Sequence, residues 1–178
     1  MGGVMLYDSQ EKYGAVSRFF HWVMAVLIFW QMLKLFDRIN EGEHWVGQVL
    51  VPWHISIGVL LLVLIIVRLG WFISQRENRP PADEQLAVFV KVGHGLLYLG
   101  MLLMPVTGLA YMVGKGYGLT VFGVQLVAKS DGIAWLANIG GLHPYIAWTL
   151  LVLIVGHIVM AFVHQFIKKD GLLQRMLG

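Results

Sequence analysis

Apolar residues in this chain fall into four long blocks, and the polar residues are confined largely to the segments between them. The blocks cover about residues 16–36, 48–73, 90–113 and 143–167. Each reaches the roughly 20 residues an α-helix needs to cross the hydrocarbon of a bilayer. Backbone amides in lipid must bond within their own segment, and isolated runs of this length have no barrel to close, so all four are expected to be helices. The expected fold class is all-α, an integral membrane four-helix bundle, with residues 1–178 as a single domain and no internal repeat. Pro80-Pro81 breaks the chain between the second and third blocks. The connection over residues 114–142 is long and partly apolar (Leu119, Val121, Phe122, Val124, Leu126), so it is expected either to lie on the membrane surface or to cap the bundle.

Composition agrees. Only 13% of residues are charged and 58% are hydrophobic, where a soluble domain carries roughly a quarter charged. The chain is basic, but its Lys and Arg sit mainly in short segments beside the spans, which suits lipid headgroups rather than nucleic acid. Nine of them (Lys12, Arg18, Arg68, Arg76, Arg79, Lys91, Lys168, Lys169, Arg175) fall towards the side of both termini, and four (Lys34, Arg38, Lys115, Lys129) towards the other. The excess predicts cytoplasmic N and C termini. The N-terminus lacks the order of features that marks a cleaved signal peptide, so the first block is expected to be retained. There is no cysteine. That excludes a disulfide framework, thiolate metal sites and covalent haem attachment, and any redox chemistry must belong to a non-covalent cofactor.

Six of the seven histidines lie in the spans or at their ends: His21, His54, His94, His143, His157 and His164. Ionisable groups there are costly and are functional candidates by default. Acidic residues, the usual partners of a proton relay, are absent from the apolar cores of the spans, which weakens a third reading, a haem-free transporter. His143 and His157 share the fourth span. Their separation of fourteen residues is about 3.9 helical turns and about 21 Å, so both rings leave nearly the same face. That spacing suits two stacked macrocycles better than one ion with clustered ligands. Topology then pairs His21 with His157 at the cytoplasmic level and His54 with His143 at the outer one, as axial ligands of two haem irons. Bis-histidine ligation favours electron transfer over oxygen binding. Gly58 and Gly156 stand near these ligands, where they either admit a flat ring or serve helix packing.

The segments Ser17-Arg18-Phe19-Phe20-His21-Trp22, His54-Ile55-Ser56-Ile57-Gly58 followed by Arg68, Gly93-His94 followed by Pro105-Val106-Thr107-Gly108, and the closing Lys169-Asp170-Gly171-Leu172-Leu173-Gln174-Arg175-Met176-Leu177 resemble the bacterial cytochrome b561 family. The similarity runs through nearly the whole chain in order. It implies a four-helix bundle of the bacterial inner membrane with two haems b, exchanging electrons with a quinone, ubiquinone first among the candidates. The four paired histidines stand where that family's ligands stand. One member oxidises superoxide outside and passes the electrons to ubiquinone; others are membrane anchors relaying electrons to a soluble redox partner, which is the alternative reading.

His94 and His164 are left over on the cytoplasmic side. Either His94 replaces His21 or His157 as a ligand, or His94 and His164 line a quinone pocket, where imidazole can donate hydrogen bonds and handle protons. Arg18 and Lys91 lie in the same layer, as further contacts for the quinone or a haem propionate, or as headgroup anchors. His44, in a polar loop, is expected to be a solvated surface residue, and the methionines to pack rather than ligate.

Overall fold

The computed structural model describes residues 5–36, 44–81 and 87–177. Four helical segments are long and apolar enough to cross a membrane: Ala15–Leu35, Val46–Gln75, Ala87–Gly114 and Ala134–Lys168. Within them lie α1 (Ala15–Met32), α2 (His54–Gln75), α3 (Ala87–Gly114), the short α4 (Ala134–Gly140) and α5 (His143–Phe162); a further turn, α6 (Gln174–Leu177), follows. The fold is a four-helix membrane bundle. Its lipid-facing nature shows in the side chains left uncovered. Val26, Phe29, Val63, Ile66, Val152 and Val155, all mid-helix, are exposed, a surface that water would not tolerate on this scale.

Between α1 and α2, Met24, Ile57, Leu61 and Ile65 form a buried cluster edged by Tyr98, Met101 and Leu102 of α3. Polar hooks tie the same helices at one end. The Trp30 indole N–H donates to the Leu50 carbonyl (2.9 Å), and the Gln31 amide to that of His54 (2.8 Å). α3 packs against both α2 and α5, whereas among the described residues neither α1 nor α2 packs closely against α5. The bundle is therefore open along one seam.

The connection from α3 to α5 caps the bundle. Strands β1 (Leu119–Val121) and β2 (Val124–Val127) form an antiparallel hairpin with Val121 opposite Val124. Its two-residue turn needs positive φ at both positions, found at Phe122 (47°) and Gly123 (84°). The tip is pinned to the start of α2, where the Phe122 N–H donates to the Ser56 hydroxyl at 2.9 Å and its ring lies 6.3 Å from that of Trp53. α4 then lies against the end of α3, so close that a Cβ at Gly140 would collide with the Tyr111 backbone. This end is called the hairpin end below.

The opposite, terminal end is closed by a polar knot. Asp8 is buried; its carboxylate accepts from the Gly14 N–H (2.8 Å) and the Ser17 hydroxyl (2.9 Å). Arg79 Nε lies 3.2 Å from the same carboxylate, an ionic contact not aligned as a hydrogen bond. The guanidinium also sits 4.4 Å from the centre of the Phe72 ring. Burial raises the Tyr13 hydroxyl above its ordinary value, with Arg79 opposing the shift. The knot fixes the segment that leads into α1.

Candidate functional site

At the hairpin end, His143 opens α5 and faces His54, which opens α2; their ring centroids are 6.0 Å apart and their planes at 87°. α3 supplies the seat. His143 Nδ1 lies 2.9 Å from the Met104 carbonyl oxygen and 3.3 Å from the Thr107 hydroxyl. A carbonyl only accepts, so Nδ1 carries the proton and Nε2 is left bare. Thr107 is buried and gives its own hydrogen to the Leu103 carbonyl at 2.7 Å. Gly108 completes the seat: a Cβ there would stand 3.1 Å from His143 Cε1 and 3.3 Å from Nδ1. Metal-ligating histidines are commonly held this way, with the second ring N–H on a carbonyl.

At the terminal end three rings gather. His21 of α1 lies 6.3 Å from His157 of α5, and His94 of α3 lies 5.4 Å from His157 on centroid distances. His94 Nδ1 is 2.8 Å from the Val90 carbonyl, so in the neutral ring Nε2 is the unprotonated nitrogen. Two imidazole nitrogens about 2.0 Å from one metal ion, with ring centres about 1.1 Å behind them, put the centroids about 6.2 Å apart. His54–His143 and His21–His157 meet that distance; His94–His157 is shorter. Among the described residues no group of three or more His, Cys, Asp or Glu is arranged to hold a metal ion by itself. Each pair thus offers two ligands and no more, which is what a macrocyclic iron needs. Both pairs bridge the open seam between α5 and the helices α1 and α2.

Arg68 of α2 turns towards the terminal-end group. Its guanidinium lies 5.4 Å from the Tyr98 ring centre and 3.8 Å from Met24 Sδ, and its charge acts on both His21 and His157. The other residues read from sequence are more scattered. His164 is buried in a π-helical turn, Val163–Lys168, and its Nδ1–H donates to the Asp170 carboxylate. That hydrogen bond holds the Asp170 carboxyl below its ordinary range. Arg18 lines an open groove of about 320 Å³ with Phe19, Trp22 and Met176, between α1 and α6. Lys91 is exposed. Among the described residues, His94 alone of these four makes a ring contact with the His21–His157 pair, through His157.

Residues 12–178 match the model of one family, described as prokaryotic cytochrome b561. The chain belongs to the prokaryotic cytochrome b561 family. It is similar to cytochrome b561 homolog 2 of Escherichia coli strain K12, at 31% identity over 96% of this chain and 94% of the relative. It is also similar to cytochrome b562 of Cereibacter sphaeroides, at 29% identity over 88% of this chain and 89% of the relative. A protein named Probable superoxide oxidase CybB, from Yersinia pestis, shares 24% identity over 94% of this chain and 96% of its own length. A cytochrome b561 is a membrane electron-transfer protein, and the family implies haem b.

Within this cytochrome, Thr107, Gly108 and the Met104 carbonyl were missed as a ring seat, because they lie on α3, remote in sequence from His143. A Cβ at Gly58 would meet the Gln31 side chain at 3.2 Å, and around one at Gly156 the space within 4 Å is open among the described residues. His44 accepts from the Gly47 N–H at 3.0 Å and is half-buried, a turn residue rather than a fully solvated one. Arg68 was legible as the one charge between His54 and Gln75.

Proposed function

We propose that this cytochrome holds two haems b, one between His54 and His143 and one between His21 and His157, and carries electrons across the bilayer to a quinone. One observation carries the reading: α5 presents two imidazoles fourteen residues apart, about 21 Å along the axis, each paired with a second imidazole at the separation two ligands of one iron require. His21 is preferred to His94 as the partner of His157, since the 6.3 Å spacing fits and the 5.4 Å spacing is short. Bound haem b supplies a one-electron iron couple.

The excess of Lys and Arg at the terminal end supports a cytoplasmic position for that end in a bacterial inner membrane, with the hairpin end in the periplasm. The resemblance to a protein named for superoxide oxidation supports superoxide as the electron donor there. Two superoxide anions each lose one electron and leave as O₂; ubiquinone takes both electrons and two protons and leaves as the quinol. Quinone binding is assigned to the terminal end. His94 has an unprotonated Nε2 beside the His21–His157 pair, and His164 with Asp170 offers a carboxylate-held imidazole towards the cytoplasm. Arg18 and Lys91 supply positive charge in the same layer.

Reduced-minus-oxidised absorption spectra and the haem-to-protein ratio of the purified protein test the cofactor assignment. Two b-type haems are expected; absence of b-type bands ends the reading. A superoxide source with ubiquinone as acceptor should reduce the haems and then the quinone, and no haem reduction rules that donor out. Replacing His94 or His164 by Ala should abolish quinone reduction with both haem spectra intact. Loss of a haem instead would return His94 to the ligand set.

A further inference from the structure

We propose that Arg68 is the counter-charge for a propionate of the haem seated between His21 and His157, and that it raises the reduction potential of that haem. The inference rests on the cofactor reading above and adds to it the residue that holds the acidic edge of the group.

Arg68 is the single charged residue of α2. It stands seven residues before the helix end at Gln75, about 10 Å inside, and it is half-buried. A guanidinium at that depth needs an anion or an aqueous path, because hydrocarbon does not solvate it. Its recorded neighbours are soft and neutral, the Tyr98 ring and Met24 sulfur. Among the described residues no carboxylate lies within the 4.0 Å of an ion pair with it. Arg79 makes the contrast. It too lies over aromatic rings, those of Phe72 and Tyr13, but Asp8 neutralises it at 3.2 Å. Among the described residues Arg68 has the aromatic contact and no acid.

The missing anion is expected from the ligand. Arg68 approaches from α2 the site that α1 and α5 flank with His21 and His157: its neighbours Met24 and Tyr98 each stand one helical turn from a histidine of that group, His21 and His94. Haem b carries two propionates, and no acidic residue of this chain falls within α1, α2, α3 or α5. The planar fork of a guanidinium matches a carboxylate in two-point contact, a geometry that Lys cannot reproduce. A fixed positive charge beside the iron site favours the reduced state, which carries one positive charge fewer. Its removal therefore lowers the potential.

Potentiometric titration of the purified holoprotein tests this, with Arg68→Gln and Arg68→Lys compared with wild type. In Arg68→Gln the reduced-to-oxidised ratio of the terminal-end haem at a fixed potential should fall at least tenfold, about 59 mV for a one-electron couple. The hairpin-end haem should not move, and Arg68→Lys should recover part of the shift. Selective loss of the terminal-end haem, reversed in Arg68→Lys, supports the proposal equally. Redox-difference infrared spectra with haem labelled in the propionate carboxyls should show the labelled band displaced in Arg68→Gln. Should that variant fail to accumulate, wild-type protein reconstituted with haem dimethyl ester should bind at the terminal end at least tenfold more weakly than with haem. Unmoved midpoints, equal movement of both haems, an unshifted propionate band or equal binding of the ester overturns the proposal. Absence of b-type haem altogether fails the earlier reading instead.

Discussion

The two histidine sites share α5 but are built differently. At the hairpin end, His143 is seated on α3 by Met104, Thr107 and Gly108, and a hairpin pinned through Phe122 and Ser56 covers the end of the bundle. At the terminal end, two rings flank His157, one of them exposed, and Arg68, with no carboxylate partner among the described residues, lies nearby. One end holds its ring in a fixed seat. The other has a surplus histidine, a cation and an open groove. The difference suits a holding site at one end and an exchange site at the other, where a substrate must arrive, take protons and leave.

Removing a ligand should break the comparison most severely. His143→Ala is expected to empty the hairpin-end site and halve the haem-to-protein ratio, while the terminal-end haem keeps its spectrum; pyridine haemochrome analysis of the purified variant reads this directly. Loss of both haems would mean that the ends are not independent. Gly108→Ala is the next largest. The added methyl meets the His143 ring at 3.1 Å, and the displacement should cost about 1–3 kcal/mol. It should broaden or shift the hairpin-end haem bands and lower the melting temperature, with the terminal-end bands as an internal control.

Thr107→Val keeps the shape but removes a hydroxyl that contacts both the His143 ring and the Leu103 carbonyl. The expected loss is about 0.5–1.5 kcal/mol, read as a small fall in hairpin-end haem occupancy at limiting haem. The smallest effect belongs to the terminal end. Asp170 has its carboxyl lowered by the His164 hydrogen bond. Its contribution is therefore complete above the ordinary carboxylate range and disappears as pH falls through the lowered value. Asp170→Asn should remove this part of the acid dependence. Thermal unfolding of both proteins from pH 7 down to pH 3 checks it: equal slopes in wild type and variant would show that the contact contributes nothing.

How far the sequence reached depended on the range of the interaction. The four spans were legible because lipid imposes its requirement on each segment separately, and every block had to be apolar and long enough by itself. The separation of His143 and His157 on one rod was legible for the same reason, since helical rise converts residue number into distance. What lay between elements was not. The connection over residues 114–142 carried an apolar pattern compatible with two placements, and only its contacts with Ser56 and Tyr111 decided that it caps the bundle.

The sequence by itself determined the number of crossings, the absence of cysteine and the two levels at which imidazoles stand, all consequences of local composition and helix geometry. Tertiary structure decided which ring faces which. It drew His94 to 5.4 Å from His157, seated His143 on an α3 carbonyl, and set Arg68 over the Tyr98 ring. These follow from how helices far apart in the chain rotate against one another, and no single stretch of residues encodes that rotation.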